Sequence, residues 1–137
     1  MSQVKYRTNY HIVWGTSMRQ PTIVPSIAQT VYSAICRKAG DLGCFIHAIN
    51  GIEDHVHLAI TIPPRLCVST VIGQLKGFSA HCINEDLKAV VTFEWQDGFG
   101  VDTISEFDLP RIIRYIQNQM EHHGQHSLIP GLEHIPS

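Results

Sequence analysis

CFIHAINGIEDHVHLAITI, residues 44–62, is the stretch that decides the fold. It reads as two strands, 44–49 and 55–62, joined around Asn50-Gly51, a two-residue hairpin signal. Side chains of a strand alternate between its faces. Val56, Leu58, Ile60 and Ile62 therefore share one face, and His55, His57, Ala59 and Thr61 share the other. The aliphatic row suits a core beneath helices. The histidines are then expected on a face that the helices leave open.

Outward from this hairpin the pattern changes period. Residues 4–14 (VKYRTNYHIVW) alternate and end at Gly15, a strand pattern. Pro21 and Pro25 bracket a loop, and Ser26 is placed to cap a helix. Ile27, Val31, Ala34, Ile35 and Lys38 follow at helical spacing, closed by Gly40. After Pro63-Pro64, the residues Val68, Val71, Ile72, Leu75, Phe78, Ser79, Cys82 and Ile83 repeat with a 3.6-residue period. A short strand is expected over 90–95, a turn at Asp97-Gly98, and another short strand near 100–105. Asp108 is placed to cap a last helix from Leu109 to about His123, with Pro110 in its first turn. The segment 124–137 reads as a loosely ordered tail. The order β-α-β-β-α-β-(β)-α implies an α+β fold. It is a ferredoxin-like (RRM-like) antiparallel sheet with helices on one face plus a C-terminal helix. A single domain over 1–137 is expected.

Composition agrees. The chain has 137 residues, 44% hydrophobic and 16% charged, which suits one domain with a core and excludes wholesale disorder. No apolar run approaches the ~18 residues of a membrane span, and no N-terminal signal segment is visible, so a cytoplasmic setting is expected. Cys36, Cys44, Cys67 and Cys82 form no C-x-x-C pair and read as buried small hydrophobes. The net charge of −2 hides an asymmetry. Residues 1–84 carry seven Lys/Arg against three acids, whereas residues 85–137 carry three against nine. The basic part permits a local phosphate-binding face.

Two groups of residues could carry chemistry. His55 and His57 lie two apart on one strand, about 6.6–6.8 Å at Cα, and their rings can converge on one metal ion. The pair alone is an incomplete site, and two surface histidines would look the same. On the last helix Tyr115 and Gln119 are four apart and share a face. They border the apolar stripe of Ile112, Ile113, Ile116 and Met120, so both are expected half-buried at its rim. A tyrosine hydroxyl can be a nucleophile if a nearby cation lowers its pKa of about 10. Gln119 offers an amide oxygen.

Taken together these residues resemble the HUH transposases with a single catalytic tyrosine, found in insertion sequences and in their REP-associated relatives. The resemblance runs over nearly the whole chain. It rests on His11-Ile12-Val13-Trp14, Asp54-His55-Val56-His57-Leu58, Gln74-Leu75-Lys76-Gly77, Trp95-Gln96-Asp97-Gly98-Phe99-Gly100, and Tyr115-Ile116-Gln117-Asn118-Gln119 followed by Glu121-His122-His123.

The resemblance implies that His55, His57 and Gln119 hold a divalent metal, Mg²⁺ or Mn²⁺. It implies that Tyr115 attacks single-stranded DNA to give a 5′-phosphotyrosine and a free 3′-hydroxyl. Two imidazoles and an amide are softer than Mg²⁺ usually chooses, which favours Mn²⁺ in vitro. A homodimer that binds DNA hairpins at element ends is implied as well. Lys5, Arg7, Arg65 and Lys76 are the candidate DNA contacts. Gly73 and Gly77 flank Lys76 and call for a close approach, by the sheet or by DNA. Three rivals stay open: a single-strand nucleic-acid-binding module without chemistry, a metal-dependent hydrolase that does not need Tyr115, and a structural dimer. Because both histidines are expected to face away from the core, replacing either should abolish cleavage and spare folding.

Overall fold

The computed structural model describes residues 4–87, 92–119 and 129–136. Four strands form one sheet: β1 (Asn9–Gly15), β2 (Phe45–Ile52), β3 (His55–Thr61) and β4 (Gly100–Ile104). Their order across the sheet is β2-β3-β1-β4, with every neighbouring pair antiparallel. Helices α1 (Pro25–Asp41), α2 (Val68–Leu87), α3 (Leu109–Gln117) and the single turn α4 (Pro130–Glu133) complete the described elements. The expected ferredoxin-like α+β architecture is the one observed.

The alternation in β3 sorts the two faces as read from the sequence. Val56, Leu58 and Ile60 pack with Ile12 and Trp14 of β1 under α1 and α2, in the main core with Val31, Ile35, Val71, Ile72 and Leu75. The opposite face is not open. Ala48, Ala59 and Ile104 form a second small core with Leu109, Ile112 and Ile116 of α3. The apolar stripe of the last helix thus docks on the histidine side of the sheet. Helices cover both faces, and no free platform is left over His55 and His57.

Local differences have local causes. The hairpin turns at Glu53-Asp54, not at Asn50-Gly51, because β2 runs on to Ile52 opposite His55. Gly51 is needed inside the strand: a Cβ there would lie 2.1 Å from the carbonyl oxygen of His55. Ser26 does not cap α1, which begins with Pro25 in its first turn after Val24. Asp108 precedes α3 without a capping bond from its side chain. α3 ends at Gln117, with Asn118 leaving helical geometry (φ −106°, ψ 28°), so Gln119 stands beyond the break. The expected continuation to His123 lies outside the described residues. At 92–95 a single bridge, Thr16 to Trp95, replaces the expected strand; residues 90–91 lie outside the described ones. The expected strand near 100–105 is β4.

The end of the chain is built rather than loose where it is described. α4 carries Leu132 onto the second core. Gly100 admits the tail, since a Cβ there would lie 2.4 Å from the carbonyl oxygen of His134. Gln96 Nε2 donates to Pro136 O at 2.9 Å. Of the four cysteines only Cys44 is buried; Cys36 and Cys67 are exposed, Cys82 is half-buried, and all four are free. Among the described residues no helix is long and apolar enough to cross a membrane.

Candidate active site

The end of the sheet that carries Gly15 and His55 gathers side chains from three parts of the chain. β3 supplies His55 and His57, α3 supplies Tyr115, and α4 supplies Glu133. One carboxylate joins them. Glu133 Oε1 lies 3.1 Å from His57 Nε2 and 3.3 Å from His55 Nε2. The Tyr115 hydroxyl donates to Glu133 Oε2 at 2.5 Å. The same hydroxyl accepts from the backbone N–H of Ile129 at 3.0 Å.

The back of each imidazole is held too. His55 Nδ1 donates to Asp54 Oδ1 at 2.7 Å, and Asp54 Oδ2 meets Arg19 Nη2 at 3.3 Å. His57 Nδ1 pairs with His11 Nε2 at 2.8 Å. An imidazole anchored from behind at Nδ1 keeps its Nε2 facing forward, the orientation a metal ligand needs.

Burial and partners set the charges. Burial pushes the Glu133 carboxyl up, but the bonds from His55 and His57 more than reverse this and hold it well below the usual range. Asp54 is depressed in the same way: burial opposes, and His55 and Arg19 outweigh it. Burial and the bond to Glu133 push Tyr115 up to about 12, against the opposing bonds from Ile129 and Gln119. Tyr115 is therefore a protonated donor at neutral pH. Burial, then the neighbouring His57, lowers His11 to about 3. His11 is neutral in the folded chain.

Measured against the sequence, His55, His57 and Tyr115 come together as expected, but deep in the molecule. His55 is 1% exposed, His57 0% and Tyr115 4%, because α3 and α4 close over them. Gln119, expected half-buried, is fully buried. Its Nε2 donates to the backbone oxygen of Tyr115 at 3.4 Å. Its Oε1 has no hydrogen-bond partner among the described residues. A buried, unbonded amide oxygen next to Tyr115 is a lone-pair donor still to be satisfied, as a cation ligand would be. His122, His123 and His126 lie outside the described residues.

The candidate DNA contacts are not gathered here. Lys5 and Arg7 precede β1, and Arg65 follows β3, at the end of the sheet about 20 Å from His55 by strand rise. Arg65 donates to Leu42 O at 3.1 Å. Lys76 lies nearer, but its ammonium is tied to Gln96 O at 2.6 Å and Gly98 O at 3.1 Å, pinning the 95–98 segment. Gly73 and Gly77 are exposed, and a Cβ at either would meet nothing of this chain within 4 Å. Packing on the sheet does not explain them.

Three residues of the site escaped the sequence reading: Glu133, Asp54 and His11. His11 bonds His57, and His47 Nε2 meets Thr61 Oγ1 at 2.6 Å. For His11 the signal lies in the strand register. It pairs with Ala59, on the face that carries His57.

His11 gives a pH test. Its folded pKa is depressed below the unfolded 6.5. The stability that goes with keeping it neutral is present above about pH 6.5 and is lost as pH falls toward 3. His11→Gln removes this proton. Its melting temperature should fall less between pH 7 and 5 than that of the parent; equal slopes in thermal unfolding would contradict the burial of a neutral His11.

A family model described as IS200-like transposases matches residues 4–119. The chain belongs to this family. Among relatives, the transposase for insertion sequence element IS200 of Salmonella typhimurium is 28% identical over 126 residues, 88% of this chain and 82% of the relative. The ISDra2 transposase TnpA of Deinococcus radiodurans is 25% identical over 119 residues, 83% of this chain and 85% of that protein. A crystal structure from Deinococcus radiodurans R1, assigned as a transposase, superposes with a TM-score of 0.68 at 27% identity, covering 87% of this chain and 98% of its own. The REP-associated tyrosine transposase bound to a REP hairpin shares the fold, with a TM-score of 0.66 at 18% identity, covering 90% and 75%. For an IS200-like transposase the process is DNA transposition, and the activity class is DNA cleavage with strand transfer.

Proposed function

We propose that this IS200-like transposase cleaves and rejoins single-stranded DNA through a 5′-phosphotyrosine on Tyr115, assisted by Mg²⁺ or Mn²⁺ at His55, His57 and Gln119. One observation carries the reading. A single carboxylate touches both imidazole Nε2 atoms with one oxygen and the Tyr115 hydroxyl with the other. The nucleophile and the histidine pair are thus one small anion apart. A phosphate has the size and charge to make the same two contacts.

When bound, the cation would polarise a phosphate oxygen and favour the ionised phenol. The chain's own groups supply the rest. Asp54 and His11 fix the imidazoles so that their Nε2 atoms face forward. The Ile129 N–H, already bonded to the phenol oxygen, stabilises negative charge there as the proton leaves. The cover formed by α3 excludes water, which protects the phosphotyrosine ester from hydrolysis. Attack of Tyr115 Oη on phosphorus forms the ester as the P–O3′ bond breaks, and the 3′-oxygen takes up a proton. The reverse step rejoins strands, and because one ester replaces another no ATP is needed.

The covered histidine face counts against a module that binds bases on an open sheet. In the homodimer that the resemblance implies, each Tyr115 would serve the histidine pair of its own chain, which it meets through Glu133. Hairpin DNA, bound by the REP-associated neighbour, is our proposed partner. Lys5, Arg7 and Arg65 would meet its backbone far from the cleavage point. We place the chain in the cytoplasm, with the DNA it would act on.

The test is covalent capture. The protein is mixed with labelled single strands spanning the flanks of its own gene, with Mn²⁺ or with EDTA, and run on a denaturing gel. An adduct that needs Mn²⁺ and is absent with duplex DNA is expected. Cleavage without any adduct would make the protein a hydrolase.

A further inference from the structure

We propose that Glu133, from the C-terminal turn α4, is itself a protein ligand of the divalent cation, completing a two-histidine, one-carboxylate site within a single chain. This rests on the metal reading given above and goes beyond its donor set of two imidazoles and an amide.

The argument begins with charge. His55, His57 and Gln119 are all neutral donors, and all are buried. A divalent cation moved into such a site from water loses hydration with no protein anion to replace it. Hard cations such as Mg²⁺ and Mn²⁺ prefer carboxylate oxygen. Asp54 does not fill the role, because it faces the Nδ1 side of His55 and is bonded to Arg19. Glu133 is on the correct side. Its Oε1 faces both Nε2 atoms, and one donor atom from each of His55, His57 and Glu133 lies within 4.8 Å of the others.

The tail is also built to deliver this carboxylate. Gly100 leaves room for the backbone at His134, and Leu132 seats on the second core. Gln96 holds Pro136 O, and the Ile129 N–H holds the Tyr115 hydroxyl. These contacts flank Glu133 on both sides in the chain. They hold the segment that carries Glu133 against the sheet end where the histidines lie. With Oε1 on the cation, Oε2 remains on the Tyr115 hydroxyl and holds the nucleophile beside the metal until a phosphate replaces it.

Mn²⁺ binding without DNA tests this by calorimetric titration of the full chain, with His55→Ala as the baseline. Glu133→Gln should weaken Mn²⁺ at least tenfold while still unfolding cooperatively in EDTA, at a lower temperature than the parent. Should that variant fail to fold, Glu133→Asp, which keeps the charge and shortens the reach, takes its place with the same tenfold criterion. A change of less than tenfold, or tighter binding, overturns the proposal: the carboxylate would then only neighbour the site or compete for it. The two failures are separable. Parent protein with no His55-dependent Mn²⁺ binding removes the metal reading and this inference together. His55-dependent binding that ignores Glu133→Gln removes this inference alone.

Discussion

Tyr115→Phe is expected to form no covalent adduct with single-stranded DNA, a loss of at least about a thousandfold, and still to fold. Among the described residues no other group is both nucleophilic and positioned at the histidine pair, and removing a nucleophile cannot be offset by binding. The ring packs at the edge of His57, with centroids 6.2 Å apart, and phenylalanine keeps that contact. What is lost is the hydroxyl's bond to Glu133 and the bond from Ile129. These losses should lower stability by about 1–3 kcal/mol, visible as a modest fall in melting temperature. Tight binding of single-stranded DNA by Tyr115→Phe, with no cleavage, would be the matching signature. Persistent cleavage would assign the chemistry to activated water.

His57→Ala is expected to abolish cleavage and also to destabilise the protein. The sequence-based expectation that folding would be spared does not survive the burial of this ring. His57 is fully enclosed and bonds His11 behind and Glu133 in front. Truncation opens a cavity and strands two polar partners, a cost on the order of 2–4 kcal/mol. Chemical denaturation should show a lowered midpoint with an unchanged slope. His57→Gln separates the two effects, because it fills part of the space and keeps a polar group. It should recover stability without recovering cleavage. A fully stable His57→Ala would contradict the enclosed site.

The sheet was legible because its signals are local. Alternation in 55–62 sorts the faces, and the 3.6-residue period of 68–83 marks α2 without any knowledge of the rest. The turn position was not, since Asn50-Gly51 looks like a hairpin turn from its composition alone. Only the pairing of Ile52 with His55 shows that Gly51 sits in the strand to let a carbonyl pass. The cover over the histidines was hidden for a different reason. The apolar stripe of α3 says that it docks, but not on which face of the sheet.

The candidate site divides in the same way. His55, His57 and Tyr115 lie in recognisable motifs. Glu133 sits 18 residues after Tyr115 in a segment without periodicity, and only the tail's path past Gly100 brings it back. His11 looked idle because its partner stands 46 residues away, across a strand pair.

The central claim is that Tyr115 becomes joined to the 5′ end of a cleaved single strand. The most direct measurement is to digest the captured adduct and identify, by mass spectrometry, the residue that carries the nucleotide, while assaying the released fragment for a free 3′-hydroxyl. The account predicts a nucleotide phosphate on the peptide containing Tyr115 and a 3′-hydroxyl that a polymerase can extend. A nucleotide on any other residue, or a released strand ending in a 3′-phosphate, would contradict it.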